Sequence, residues 1–174
     1  MKIAILGYSG SGKSTLARRL AERYQLDVLH FDRVQFLPGW VIRSEEEKQR
    51  LTAEFLDTHD AWVIDGNYSK LSFDRRMAEA DEIVFLLFNR FSCLHRAYRR
   101  SRKFAGQTRP DMAEGCTEKF DWEFATWILW KGRAGKTRGL FRGVMTQYQN
   151  KTVIIKNQKQ LDAYMASKGV SYGI

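Results

Sequence analysis

Residues 7–14 read GYSGSGKS and match the motif G-x-x-x-x-G-K-[ST] in full, between a strand pattern and a helix pattern. The three glycines leave room for backbone amides to converge on one concavity, where they and the positive end of the next helix bind phosphate oxygens. Lys13 would reach the β- and γ-phosphates of ATP, and the Ser14 hydroxyl would bind Mg²⁺. A glycine turn without function is the weaker alternative, because motif and context agree. The predicted nucleotide-binding residues are Gly7, Tyr8, Ser9, Gly10, Ser11, Gly12, Lys13, Ser14 and Thr15.

Two aspartates end the next two predicted strands, Asp32 in VLHFD and Asp65 in WVIDGNY. Because carboxyl ends of parallel strands share one edge of a sheet, both should lie beside the glycine-rich loop. A carboxylate there can hold Mg²⁺ through water or accept a proton from an attacking hydroxyl. We assign Asp65 to the metal, and Asp32 to either the acceptor site or general-base catalysis. The alternative for each is a cap on the following turn.

An acceptor pocket is predicted around these strand ends. Aromatic side chains could contact a flat ring, and amides could bind polar edges. Ordinary packing is the alternative for each aromatic residue. The residues assigned to this pocket are His30, Asp32, Trp40, Asn67 and Tyr68, with Arg109 joining them from a loop further along the chain.

The segment 89–104 contains six basic residues and no acidic one. Arg96 and Arg100 are four residues apart and share one helical face, after the strand at 82–88. Cations in that place can stabilise the charge that spreads over phosphate oxygens during phosphoryl transfer. We therefore assign both arginines to catalysis and nucleotide binding. Arg99, Arg102 and Lys103 are expected to be solvated surface.

Five strand patterns alternate with helix patterns, which predicts an α/β fold with a parallel sheet and helices on both faces. The strands are expected at 2–6, 27–32, 61–65, 82–88 and 152–156. The helices are expected at 13–24, 45–58, about 70–79, 89–104, 118–131, 132–149 and after residue 157. Ser44 would cap the second of these helices in a capping box, Thr117 the aromatic helix at 118–131, and Asn157 the last helix. The expected inner faces are Leu94, Ala97, Tyr98 and Ser101 in the basic helix, and Phe120, Phe124, Trp127 and Ile128 in the aromatic helix.

The bulk composition restricts the class of protein. The chain has 174 residues, a net charge of +9 and only two prolines, which indicates one domain over 1–174 without an obvious linker. Two cysteines far apart favour reduced thiols over a disulfide framework or a zinc site. With no apolar run near the length of a membrane span, we expect a cytoplasmic protein with no membrane partner. The positive charge suits polyanions, but no helix-turn-helix or basic arm supports nucleic acid as the favoured partner.

Several segments together resemble a known family. GYSGSGKST, VIDGNY and the arginines after the strand at 82–88 are similar to the P-loop nucleoside and nucleotide kinases of the adenylate-kinase-like group. HFDRVQFLPGW and RPDMAEGCTEKFDWEF further resemble the subgroup named DNA topology modulation proteins, of the FlaR type. DGNY departs from the DGFPR of adenylate kinases, and the arginine that would grip a nucleoside monophosphate is missing.

The resemblance implies a three-layer α/β/α P-loop kinase fold with a five-stranded parallel core and a small helical lid, which we place at about 101–118. It implies an ATP- and Mg²⁺-dependent phosphotransferase acting on an unidentified small molecule. Adenine would lie near Asn157, after the last strand. Two alternatives stay open: a nucleotide-dependent regulator that binds DNA and modulates its topology, and an NTPase that acts on a partner protein.

Overall fold

The computed structural model describes residues 1–170, so residues 171–174 of the expected 1–174 domain lie outside the described part. Its centre is a five-stranded sheet in which every neighbouring pair of strands is parallel. The strands are β1 (Lys2–Gly7), β2 (Asp27–His30), β5 (Trp62–Asp65), β6 (Glu82–Leu86) and β7 (Thr152–Ile155), in the order β2-β5-β1-β6-β7. The predicted α/β class and five parallel strands are confirmed.

Apolar strands explain why the sheet is covered on both faces. β1, β5 and β6 are almost entirely buried, as continuous apolar runs require. The register pairs Ile5 with Asp65 and Gly7 with Leu86, so that β5 ends two residues before β1 and β6 at the same edge of the sheet. The glycine-rich loop therefore begins directly beside Asp65.

The helices lie on both faces of the sheet. One apolar cluster joins the sheet to α1 (Lys13–Tyr24), α5 (Arg90–Lys103), α6 (Trp122–Leu129) and α8 (Gln158–Ser167). A second cluster joins the opposite face to α2 (Phe31–Gln35), α3 (Glu45–Thr58), α4 (Phe73–Glu79) and α7 (Gly135–Gln147). None of the helices within residues 1–170 has both the length and the apolar character to span a bilayer.

Local capping explains several helix starts. Ser44 accepts a hydrogen bond from the Glu47 amide, and Asn157 accepts one from the Gln160 amide, as the sequence predicted. The prediction that Thr117 caps the aromatic helix is wrong. That helix begins at Trp122, because the Asp121 carboxylate accepts a hydrogen bond from the Phe124 amide.

The expected strand at 27–32 is shorter than predicted. β2 ends at His30, and α2 follows at once, so Asp32 lies in the first turn of a helix and not at a strand end. A small antiparallel hairpin of β3 (Phe36–Leu37) and β4 (Val41–Ile42) comes next. Periodicity missed this hairpin, because two-residue strands are too short to produce a pattern.

The lid segment differs from the expected helical lid. Residues 101–103 complete α5, and the chain from 104 to 121 forms turns with two isolated bridges, Ala105 to Glu118 and Thr108 to Thr117. Gly106 and Gly115 both have positive φ, and Pro110 lies between them, which together prevent a continuous helix. The segment folds back on itself as a loop.

Each of two predicted inner faces differs from the structure at one aromatic residue, whereas Leu94, Phe120 and Phe124 pack against the first apolar cluster as expected. α5 buries Cys93 and Ala97, while Tyr98 is 47 % exposed. α6 buries Ala125 and Ile128, while Trp127 is 47 % exposed. In α5 the small Ala97 faces the glycine-rich loop, where a Cβ added at Gly10 would lie 3.4 Å from its own Cβ, and the Tyr98 ring turns outward.

Candidate active site

The glycine-rich loop packs too tightly for side chains at two of its positions. Gly7 and Gly10 have φ values of 147° and 77°, in the region that favours glycine. A Cβ at Gly7 would lie 2.4 Å from the Leu86 carbonyl oxygen, and one at Gly10 would lie 2.4 Å from that of Cys93. The loop is thus pressed against the end of β6 and the start of α5.

The concavity of this loop suits an anion. α1 begins at Lys13 without a side-chain cap, so the amides of its first turn have no helical partner and face the loop. The Lys13 ammonium lies 3.2 Å from the Tyr8 carbonyl oxygen, folded back across the same loop. Burial lowers the pKa of Lys13, and the nearby carboxylates of Asp65 and Asp32 act in the opposite direction. Lys13 forms no ion pair within residues 1–170, so a bound polyphosphate would supply a direct anionic partner.

Asp65 is the centre of a short hydrogen-bonded chain. The Ser14 hydroxyl donates to Asp65 Oδ2 at 2.8 Å, and His30 Nδ1 lies 2.6 Å from Asp65 Oδ1. Asp65 and His30 are both buried. A hydroxyl and a carboxylate beside a phosphate loop are the oxygen donors that Mg²⁺ prefers, so Ser14 and Asp65 fit this ion. His30, which was assigned to the acceptor pocket, orients this carboxylate.

Asp32 is paired with Tyr68 although it lies in α2. The Tyr68 hydroxyl donates to Asp32 Oδ1 at 2.8 Å. Burial, and then the charge of Asp65, raise the pKa of Asp32, whereas the Tyr68 hydrogen bond and the charge of Lys13 lower it. Burial also raises the pKa of Tyr68. The predicted acidic pair and Tyr68 therefore share one electrostatic environment with Lys13.

Asn67 binds the loop itself through both ends of its side-chain amide. Its Oδ1 accepts from the Gly7 amide at 3.0 Å, and its Nδ2 donates to the Gly7 carbonyl at 2.8 Å. Arg76, which was not predicted to have a role, stabilises the segment that carries Asn67 and Tyr68. This buried guanidinium donates to the carbonyls of Leu71, Gly66 and Tyr68. Arg76 resembles any other helical arginine in the sequence, so no local signal reveals its role.

Arg96 lies against the loop, as its spacing predicted. Its Nη1 donates to the Ser11 carbonyl at 3.1 Å, its Nη2 contacts the Gln158 side chain, and its guanidinium lies 4.1 Å from the centre of the Phe88 ring. The segment after β7 thus meets Arg96 beside the loop. Asn157 is exposed there, and its side chain caps α8.

Arg100 and Arg109 converge on Glu118, a residue that the sequence analysis did not single out. Arg100 Nε donates to Glu118 Oε1 at 2.7 Å. Arg109 Nε lies 2.6 Å from Glu118 Oε2 and forms an ion pair with it, but this contact does not have the geometry of a hydrogen bond. Arg109 also donates to Asp111. Burial lowers the pKa of Arg100, and Arg109 adds to this effect. Arg109, which was assigned to the acceptor pocket from this loop, is buried and paired in the structure.

Replacing Glu118 should destabilise the fold, because two guanidinium groups would lose their shared, 3 % exposed carboxylate. Arg100 is 28 % exposed, so water would partly compensate for the loss. We expect Glu118→Gln to lower the free energy of unfolding by about 2 kcal/mol in urea titrations. Glu114→Gln, an exposed site in the same loop, is the control. Equal stability of the two variants would contradict the role of Glu118.

The loop at 104–121 contacts the β3–β4 hairpin. The Trp40 indole donates to the Thr117 carbonyl at 3.2 Å, and Cys116 Sγ lies 3.4 Å from the Leu37 carbonyl oxygen. Trp40, which was assigned to the acceptor pocket, is thus part of a contact between two segments. Cys93 and Cys116 are both buried and free.

Two further residues touch the phosphate loop without having been predicted to do so. The Trp127 indole donates to the Ser9 hydroxyl at 3.2 Å. Arg133 stacks 3.8 Å from the centre of the Tyr8 ring and donates to the Phe88 carbonyl. The Tyr8 ring therefore packs against an arginine. Thr15, the last of the predicted nucleotide-binding residues of the loop, is exposed on α1. Ser11 is fully buried, and its hydroxyl has no hydrogen-bond partner within residues 1–170.

Comparison with known proteins shows that the fold of this chain is similar to those of solved structures. No family model matches the chain, and no curated protein matches it. A shikimate kinase from Acinetobacter baumannii, solved in complex with shikimate, superposes with a TM-score of 0.55 at 18 % identity, over 96 % of this chain and 94 % of that one. An uncharacterized protein from Eubacterium ventriosum gives a TM-score of 0.51 at 16 % identity, over 98 % and 97 % of the two chains.

A gluconokinase from Sinorhizobium meliloti is also similar, with a TM-score of 0.48 at 17 % identity, over 97 % of this chain and 89 % of that one; this similarity is too low to carry an argument. The chain therefore has the α/β fold of the shikimate kinase, with a five-stranded parallel sheet between helices. The DNA topology modulation subgroup is not confirmed.

Proposed function

We propose that this protein is an ATP- and Mg²⁺-dependent phosphotransferase that acts on a small-molecule acceptor. The observation that carries the proposal is the loop at 7–14, which is complete in sequence and leads into an uncapped helix. Lys13 lies across it, and Asp65 is bonded to Ser14 beside it. The kinase-like fold supports the same class of protein. Residues 1–174 would form one domain.

Each residue has a proposed role in this reaction. The loop amides and Lys13 bind the β- and γ-phosphates. Ser14 and Asp65 would hold Mg²⁺, which supplies neutralisation of phosphate charge when bound. Arg96 binds the phosphates at the loop, and adenine lies near Asn157, beside the Arg96–Gln158 contact. Arg100 would reach the phosphates once it leaves Glu118.

The acceptor would lie near Asp32, where His30, Trp40, Asn67, Tyr68 and Arg109 were assigned. If the acceptor is a hydroxyl, its oxygen attacks the γ-phosphorus while Asp32 takes its proton, and the bond to the β-phosphate oxygen breaks. If it is a phosphate, no base is needed and Arg109 binds it. Arg109 already acts electrostatically on Asp32. The loop within 101–118 would serve as a lid that exchanges its Glu118 contacts for phosphate contacts.

The test is a screen of nucleosides, nucleotides and small metabolites for acceptor-dependent ATP consumption, with and without Mg²⁺. We expect at least one acceptor to stimulate ADP formation, and excess EDTA to abolish this stimulation. ATP consumption that no acceptor changes would favour an NTPase that acts on a partner protein. No ATP binding at all would refute the proposal.

A second candidate function is nucleotide-dependent binding of nucleic acid. It is favoured by one exposed face of α5, where Phe91 and Tyr98 are 71 % and 47 % exposed among Arg99 and Arg102. Aromatic rings can stack on bases while arginines bind phosphates. This candidate predicts binding of DNA that weakens steeply with salt and changes with ATP. Negligible DNA affinity at physiological salt would refute it.

A further inference from the structure

A cleft of about 370 Å³ opens beside the tip of the phosphate loop. It lies between that loop, the segment after β5, and the turn that joins α6 to α7. Its volume is at the lower end of the range for small-molecule sites. The residues that line it are Ser9, Asn67, Ser69, Trp127, Gly132, Lys136, Thr137 and Leu140.

The charge of this cleft is of one sign. Among residues 1–170, Lys136 is the only ionisable residue that lines the cleft, so no carboxylate of these residues faces a ligand there. Lys136 is exposed and forms no ion pair within residues 1–170. It lies in the first turn of α7, which begins without a side-chain cap, so the helix dipole adds to its positive potential. The cleft therefore favours a negatively charged ligand.

The remaining walls suit a small organic molecule better than a bare inorganic ion. The indole of Trp127 and the side chain of Leu140 give an apolar surface, whereas Ser9, Ser69 and Thr137 provide hydroxyls. Gly132 allows this arrangement, because a Cβ there would lie 2.8 Å from Trp127 Nε1. An apolar wall with a few polar groups is typical of ligand sites.

The cleft is physically joined to the phosphate loop. Ser9 belongs to the loop and accepts the Trp127 hydrogen bond, and Asn67 is bonded to both polar groups of Gly7. A molecule in the cleft would thus contact the side chains that fix the loop. Residues 67–69 also join the cleft to Asp32, because Tyr68 donates a hydrogen bond to that carboxylate. This placement suits the second substrate of a transfer reaction.

We propose that the cleft binds a negatively charged group of the phosphoryl acceptor, so that the acceptor is a small organic anion whose own carboxylate or phosphate pairs with Lys136. That the ligand of the cleft is a phosphoryl acceptor rests on the proposed phosphotransferase function. The binding preference of the cleft can be measured without turnover, so the two can fail separately.

The test uses three probes that share one ring: benzoate, phenyl phosphate and benzyl alcohol. Each is titrated into the protein with saturating MgADP, and binding is followed by ligand-observed NMR. We expect at least one anion to bind about 10-fold more tightly than the alcohol, as one charge-assisted contact allows. Preference for benzoate indicates a carboxylate acceptor, and preference for phenyl phosphate indicates a phosphorylated one.

Lys136→Gln should remove this preference, while Lys131→Gln should keep it. Lys131 is also exposed and close by in sequence, but it does not line the cleft. Equal binding of the three probes, binding of none at millimolar concentration, or an unchanged preference in Lys136→Gln would each overturn the proposal. A neutral acceptor that turns over as well as its charged counterpart would overturn it too, and would leave the phosphotransferase function intact.

Discussion

Lys13→Ala should lower the rate of ATP turnover by at least about 10³-fold and leave the protein folded. The loss is expected because the ammonium is the one lysine cation placed across the phosphate loop among the described residues, 3.2 Å from the Tyr8 carbonyl. Preorganised positive charge stabilises the transferring phosphoryl group, and an alanine cannot replace it. Steady-state ADP release at saturating ATP measures the effect.

The fold should tolerate Lys13→Ala because burial lowers the pKa of Lys13, which means that the charged form is costly in the folded state. Circular dichroism and the melting temperature separate a local effect from unfolding. Lys159→Ala, which changes an exposed lysine of α8, is the matched control and should behave as the parent protein does. Unchanged turnover in Lys13→Ala would show that residues 7–14 are not the nucleotide site.

Asp32→Asn should lower turnover by about 10²- to 10⁴-fold while changing ATP affinity little. An asparagine can still accept the Tyr68 hydrogen bond, but it cannot take a proton from an acceptor hydroxyl. Turnover by the parent protein should fall as the pH drops through the raised pKa of Asp32, because the base must be ionised. Turnover measured against pH, together with ATP titration, tests both expectations.

Asp32→Asn should also raise the melting temperature at neutral pH. The folded-state pKa of Asp32 lies above its usual value, mainly through burial, so the folded protein prefers the protonated acid. The stability that this group contributes is complete below the usual pKa of an aspartate and is lost as the pH rises through the raised value. Because asparagine does not ionise, Asp32→Asn does not lose this stability as the pH rises. Asp60→Asn, at an exposed loop position, is the control; a lower melting temperature of Asp32→Asn than of this control would contradict the account.

The central part of the fold was predictable because its signals are local. β1 and α1 flank a motif that occurs in one structural context, and the Ser44 and Asn157 caps mark helix starts by their own hydrogen bonds. Asp65 ends β5 as predicted, because the strand ends where its apolar run ends. For these elements, local pattern and tertiary structure agree.

The wrong or missing predictions concern residues whose position and partners are set by tertiary contacts. Asp32 follows a strand that ends two residues early, because Phe31 turns into the second apolar cluster and starts α2. Glu118 is one acid in a polar loop, and only the folded chain shows that two arginines meet it. Arg76 likewise gains its role from carbonyls of a loop whose shape the sequence does not encode locally. Each is a long-range or loop contact that periodicity does not detect.

The most direct measurement of the central claim is the fate of the γ-phosphate. The protein is incubated with Mg²⁺, ATP labelled at its γ-phosphate, and a mixture of small metabolites freed of proteins, and the products are separated. The account predicts that label moves into a small organic molecule, as a phosphate ester or a phosphoric anhydride, and that Lys13→Ala abolishes this transfer. Label that remains in ATP, or that appears only as inorganic phosphate at a rate independent of the metabolites, would contradict it.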